Sequence, residues 1–214
     1  MKERRTPWFF WKKEDSANTP VKRDYTIISS VGNGLVNLLR DNMAPDVISG
    51  RDEIGLCTPE ERGDMALGVY LYDVQENDQM RVGGLQPLDD RHMQLPPLYL
   101  SLHYMLTAYS DIDIRYREEE KHRILTRAMQ VLYDHPILDG TTLRPTGGSG
   151  SQDVHIEYLN LKLEEKMAVW QNIRQNYQLS LFYRITPVCL DSTVRREITR
   201  VREIQLGADL GNGG

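Results

Sequence analysis

Apolar residues first settle into a rhythm at Ile27, Ile28, Val31, Leu35, Leu38 and Leu39, three or four positions apart. That spacing predicts an amphipathic helix, which Asp24 can cap and which ends near Met43-Ala44-Pro45. The rhythm then changes to two. Leu67, Val69 and Leu71 alternate with Gly68, Tyr70 and Tyr72, a strand pattern closed by the turn residues Glu76-Asn77-Asp78. In a second strand, Leu98, Leu100, Leu102, Tyr104, Leu106 and Ala108 face one way, and Tyr99, Ser101, His103, Met105 and Thr107 the other. The first set is expected to pack on helices and the second to form a half-polar face with His103 at a surface or interface.

A second helix follows Asp111-Ile112-Asp113, with Ile124, Leu125, Ala128, Val131 and Leu132 as its buried stripe. The acidic run Glu118-Glu119-Glu120 suits its early turns, and His135-Pro136 stops it, because proline disfavours helical geometry in the residue before it. Val154, Ile156 and Tyr158 predict a short strand. Leu163, Met167, Trp170 and Ile173 predict a helix with those four inward, though Lys162 stands where a capping box with Glu165 would use Ser or Thr. Leu179, Leu181, Tyr183 and Ile185 predict a further strand, ending before Pro187. The order helix, strand, strand, helix, strand, helix, strand describes an α/β layer fold, a mixed sheet flanked by helices.

Three stretches fall outside this pattern. Residues 1–23 mix charge with the aromatic block Trp8, Phe9, Phe10 and Trp11 and read as an N-terminal extension; contact with a neighbouring subunit suits the block better than a membrane surface. A connection of about 22 residues joins the first two strands, too long for a simple turn, and carries Arg81, Arg91 and His92. Residues 24–190 then form the α/β domain, and residues 191–214 a C-terminal arm and flexible tail. In that arm Arg196, Ile198 and Arg200 permit an extended strand, while Val194, Ile198 and Val201 permit a helix.

Composition narrows the chemistry. Hydrophobic residues are 40% and charged residues 27% of the 214, which is ordinary for a chain that folds in water. A formal charge of -5 disfavours nucleic acid as a partner. Cys57 and Cys189 are far apart and without paired spacing, as expected of reduced thiols in a cytoplasmic protein, and no apolar run or leader pattern points to a membrane. His92, His103, His122, His135 and His155 form no metal-ligand pair. Gly32-Asn33-Gly34 lacks the preceding strand of a dinucleotide fingerprint, and Pro145 to Gly150 lacks the lysine of a phosphate loop and reads as a flexible surface loop. Asp111 and Asp113 suit capping better than cation binding. No catalytic residue, cofactor or metal site is expected.

Three segments carry a family likeness: Val69 to Asn77, Pro97 to Ser110 and His122 to Leu138, supported by Tyr25 to Leu39, the helix through Trp170 and Tyr177 to Leu190. Together they resemble the N-terminal domain family of tail-terminator, or cap, proteins of extracellular contractile injection systems, which are phage-tail-like particles. The resemblance implies a non-enzymatic α/β protomer in a homohexameric ring. That ring would end the inner tube and sheath at the end distal to the baseplate and anchor the last sheath ring. With no leader or apolar run in the sequence, assembly in the cytoplasm into a particle that can be released is expected, and the resemblance favours a C-terminal strand that adds to a neighbour's sheet edge. Candidate contact residues are Trp8, Phe9, Phe10, Trp11, Arg81, Arg91, His92, Arg196, Ile198 and Arg200. Rival readings are a membrane-peripheral adaptor that uses the aromatic block, and an α/β ligand-binding domain.

Overall fold

A computed structural model describes residues 25–81, 83–87, 92–143 and 152–197. Its first helix, α1 (Ile27–Met43), buries Ile27, Val31, Leu35, Val36, Leu39 and Met43 and stops where Ala44 turns extended before Pro45. Thr26 occupies the capping position; Asp24, expected there, lies outside the described residues. The chain continues through strands β1 (Ile54–Leu56), β2 (Leu67–Glu76), β3 (Gln86–Pro87), β4 (His92–Gln94) and β5 (Leu98–Ala108). Helix α2 (Ile114–Asp134), strand β6 (Ile137–Leu138), helix α3 (Gly140–Leu143) and strand β7 (Val154–Tyr158) follow. Helix α4 (Leu163–Ile173), β8 (Ser180–Leu190) and β9 (Arg195–Glu197) complete the described chain.

Six strands form one mixed sheet in the order β1-β2-β5-β8-β7-β6, as the expected α/β class requires. β1 runs parallel to β2 and the other pairs are antiparallel. Register decides which side chains meet. Val69 pairs with Leu106 and Leu106 with Leu181, while Leu102 pairs with Ile185, so apolar rows cross the sheet on one face. These rows pack against Val31, Leu35 and Leu39 of α1 and Ile124, Leu125, Ala128 and Leu132 of α2, all buried. Each of the valine, leucine and isoleucine side chains contributes about 1.5–3 kcal/mol when fully removed from water.

The opposite face differs from expectation. Met105 pairs with Phe182 across the ladder, and both are fully buried beneath Trp170 and Ile173 of α4. Ser101, His103 and Thr107 on this face are buried too, Ser101 against the Thr186 hydroxyl and Thr107 against that of Ser180, and His103 is not a surface residue. Within α4, only Trp170 and Ile173 of the four residues expected inward are buried, while Leu163 and Met167 are exposed. The small apolar patch beneath α4 has room for one stripe of two residues, and helical spacing alone does not reveal how wide its partner is. At the start of α4 the backbone N–H of Lys162 donates to the Glu165 carboxylate at 2.7 Å, half of a capping box without the hydroxyl. Asp113 caps α2 as expected, accepting from the Arg115 N–H at 3.0 Å.

β8 also runs past the expected stop at Pro187. Leu102 pairs with Ile185 but Leu100 with Val188, so Thr186 and Pro187 together oppose Ser101. A bulge tolerates a residue without an N–H, which is why the strand survives its proline. Gly32 and Gly34 serve packing within α1. A Cβ on Gly34 would lie 2.8 Å from Leu143 Cδ2, and one on Gly32 would lie 3.1 Å from Leu56 Cδ1.

Candidate assembly surfaces

The long connection between β2 and β5 is not structureless. Asn77 ties its first turn to the body: its N–H donates to the Tyr99 carbonyl at 2.8 Å and its amide to the Thr186 hydroxyl at 3.3 Å. Beyond it, β3 and β4 pair with each other, and β9 pairs with β4 in a second sheet of order β3-β4-β9. The register sets His92 opposite Glu197 and Met93 opposite Arg196, and the Leu95 N–H reaches the Val194 carbonyl at 3.3 Å. Loop and arm, separate in sequence, thus form one surface element.

Among the described residues, that element brings together two of the expected contact residues, His92 and Arg196. His92 is half-buried in β4, and Arg196 is exposed in β9. Arg81 stands apart at the loop base, exposed, with its guanidinium 3.7 Å from Glu76. Trp8, Phe9, Phe10, Trp11, Arg91, Ile198 and Arg200 lie outside the described residues, as does the glycine-rich stretch Pro145 to Gly150. The arm is extended at 195–197, but its strand partner is β4 of its own chain, where a neighbour's sheet edge had been expected. Two- and three-residue strands such as β3, β4 and β1 carry too few alternations to be legible as strands, so this sheet had no signal in the sequence.

Reactive chemistry finds little support in the geometry. The His103 ring lies 6.0 Å from that of Tyr72, and its Nδ1 is buried with no hydrogen-bond partner among the described residues. Burial pushes the imidazole below its ordinary value, the Asp73 carboxylate opposes that, and the Arg184 guanidinium adds to it. A general base needs a reachable proton, and His103 is only 8% exposed. Burial pushes the Cys57 thiol up, against smaller opposing effects from the Val69 backbone and Arg62, which is the opposite of the lowered value that activates a nucleophilic cysteine. Among the described residues no three His, Cys, Asp or Glu side chains converge on a metal site, and no helix is long and apolar enough to cross a membrane.

Two clefts lie among the described residues. A polar one of about 300 Å³ lies between Arg62, Tyr109, Asp111, Arg117, Lys121 and Gln178. Its charges are largely satisfied internally: Arg62 pairs with Asp111 at 2.8 Å and stacks 4.9 Å from the Tyr109 ring centre, while Lys121 pairs with Glu118 at 2.8 Å. The other, of about 350 Å³, is mainly apolar and opens beside the first turns of α1, between Ile28, Gly32, Leu56, Cys57, Leu71 and Tyr104.

Comparison with solved structures finds this fold in contractile particles. The sheath/tube terminator of an extracellular contractile injection system, PVC, in its extended state superposes with a TM-score of 0.57 at 17% identity. That match covers 83% of this chain and 61% of the terminator. The tube-terminating cap of the anti-feeding prophage superposes with a TM-score of 0.57 at 20% identity, over 81% of this chain and 58% of that one. The chain thus spans about three-fifths of the length of each of these two proteins. No curated protein sequence matches it. A family model described as the Pvc16 N-terminal domain matches residues 30–203, most of the chain, and the chain belongs to that family.

Proposed function

We propose that the protein is a structural cap that terminates the inner tube and sheath of a contractile, phage-tail-like injection particle, and that it performs no catalysis. The observation that carries this reading is the shared fold: most of this chain superposes on two terminating caps, and the family model spans the same body. A terminator needs a rigid body and protruding contact elements but no reactive pocket. The six-stranded sheet with helices on both faces supplies the body, and the separate β3-β4-β9 sheet supplies a second element for contacts.

In finer detail, copies of residues 24–190 close into a homohexameric ring at the end distal to the baseplate. The ring meets the last tube ring and anchors the last sheath ring. Cyclic closure needs two different patches on each subunit. We assign one to the connection and the arm around the β3-β4-β9 element, which holds His92 and Arg196, with Arg81, Arg91, Ile198 and Arg200 as further contact residues of the same two segments. Exposed ion pairs there contribute only about 0–1 kcal/mol each, so backbone pairing and shape carry the contact. Assembly takes place in the cytoplasm, and the C-terminal arm, residues 191–206, takes part in the contacts between subunits.

The test is deletion of the gene in a strain that makes the particles, followed by electron microscopy. Tubes and sheaths of uncontrolled length, or particles that fall apart, are expected. Particles of normal length and stability would overturn the proposal.

A further inference from the structure

The polar cleft is a seam between three segments that lie far apart in the chain. Arg62 comes from the connection after β1, Ser110, Arg117 and Lys121 from the junction of β5 with α2, and Gln178 from the connection between α4 and β8. The Gln175 amide donates to the Pro59 carbonyl at 3.2 Å and ties the first of these segments to the last. The lining carries three cations, Arg62, Arg117 and Lys121, against two carboxylates, Glu60 and Asp111. A cleft with excess positive charge stands out on a chain whose formal charge is -5.

The three cations are not equally provided for. The side chains of Arg62 and Lys121 are 31% and 21% exposed, whereas Asp111 and Glu118, which hold them, are 77% and 68% exposed. The carboxylates are the outer members of both pairs, and exposed pairs of this kind are weak and readily exchanged. Arg117 donates from Nη2 to the Ile112 carbonyl at 3.2 Å, but its Nε is buried with no hydrogen-bond partner among the described residues. Nε and Nη2 form the edge of a guanidinium that grips a carboxylate with two bonds, as Arg115 does on Asp113. In Arg117 that edge is half used. The Ser110 hydroxyl, in the same cleft, is also buried without a partner among the described residues. Buried polar groups left unmet are costly, so both side chains gain from an acceptor.

Residues that adjoin the lining in sequence are apolar and exposed: Ile112 next to Asp111, Leu179 next to Gln178, and Ile114 at the start of α2. Apolar side chains beside a charged centre suit a protein partner. Nucleic acid would call for a basic stripe rather than one excess charge. The loop-and-arm contacts of a second copy do not fit either, since Arg81, Arg91, Arg196 and Arg200 carry the same sign as the cleft.

We propose that this cleft docks an acidic side chain of a different protein, one with apolar neighbours in its own sequence. The Arg117 fork turns from the Ile112 carbonyl, which lies in an exposed loop and is left to water, and takes the carboxylate with both nitrogens. The Ser110 hydroxyl donates to the same carboxylate, Arg62 and Lys121 add attraction that Glu60 partly offsets, and the apolar neighbours lie on Ile112, Ile114 and Leu179. The assignment does not rest on the cap reading.

The test titrates a blocked pentapeptide, one glutamate between two leucines and two terminal alanines, into the full chain. Arginine Nε–H signals are followed by nitrogen-15 NMR, with Arg117 identified by its absence from Arg117→Lys. A saturable shift of the Arg117 signal is expected, weakened about tenfold when the peptide carries glutamine for glutamate. Because lysine lacks the fork, Arg117→Lys should weaken binding about fivefold, read from the amide signal of Leu179, with the circular dichroism spectrum unchanged. An unmoved Arg117 signal, or equal binding of the two peptides, would overturn the proposal. Inorganic phosphate that binds as tightly as the glutamate peptide would reduce the cleft to a general anion site and overturn the protein assignment. Sedimentation that rises with concentration for the unaltered chain, but not for Arg117→Lys, would give the cleft to a second copy and overturn it too.

Discussion

Replacing Trp170 with Ala tests how α4 is held. The helix rests on a cluster of four buried residues, Met105, Trp170, Ile173 and Phe182, and Trp170 is the largest of them, 1% exposed. Truncating a buried tryptophan costs about 3–5 kcal/mol, from lost transfer free energy and the cavity left behind. Here that cost falls on one helix, whose other buried anchor is Ile173 alone. Helix α4 should therefore open separately from the main body, giving early loss of protection in residues 163–173 and a separate urea transition. Trp170→Phe should behave differently. The indole Nε1 is buried with no hydrogen-bond partner among the described residues, and an unmet donor of that kind costs about 1–3 kcal/mol. Phenylalanine removes the donor while keeping a ring in the cluster, beside Tyr177, so the lost volume and the relieved donor offset each other to within about 1.5 kcal/mol. Urea unfolding followed by circular dichroism, with hydrogen exchange of α4, measures both variants. The reasoning fails if Trp170→Ala costs under about 1 kcal/mol, or if Trp170→Phe costs as much as Trp170→Ala.

Other tests probe separate parts of the molecule. A Cβ on Gly68 would stand 2.7 Å from Cys57 Sγ and 3.1 Å from the Tyr109 ring, so Gly68→Ala should destabilise by about 1–3 kcal/mol in urea titrations. Gly34→Ala meets only the far end of Leu143, and the gain in helix propensity of about 0.5–1 kcal/mol should leave it neutral or more stable. His103 titrates lower in the folded chain than in the unfolded one because it is buried, so the unfolded state binds the extra proton first. Stability should thus fall as pH drops below the ordinary histidine value of about 6.5, towards the lower folded value, and His103→Gln should flatten the urea-midpoint profile in that window. Arg184 donates from Nε to the Glu157 carboxylate at 3.0 Å across β8 and β7, but both side chains are more than 40% exposed. Glu157→Gln should therefore cost no more than about 1 kcal/mol, and less in high salt.

Residue spacing revealed the long elements and missed the short ones. Ile124, Leu125, Ala128, Val131 and Leu132 all lie in the core as their spacing requires, and the alternation in β5 put Leu102, Tyr104 and Leu106 on the helix-facing side. Periodicity says which residues share a face, and not what covers that face. For that reason Ser101, His103 and Thr107 read as half-exposed, whereas α4 comes down over the same side from 60 residues further along the chain. The same limit turned Leu163 and Met167 inward when they point out. β4 and β9 were invisible because each has three residues and its partner is about 100 positions away, a pairing decided by tertiary proximity. The cleft at Leu56 was equally illegible, because it is made where three distant segments meet.

The two ends of the six-stranded sheet differ greatly from its middle. β5 and β8 run for 11 residues each, yet the outermost strands β1 and β6 have only three and two. On the outer side of β1, the Arg40 side chain donates to the Ile54 carbonyl at 2.8 Å, occupying an acceptor that an incoming strand would use. A long bare edge invites copy after copy to add in register, whereas these stubs offer almost nothing to copy. For a protein proposed to stop a polymer, such blunting matters: a terminator able to stack edge to edge would itself seed the endless growth it exists to prevent.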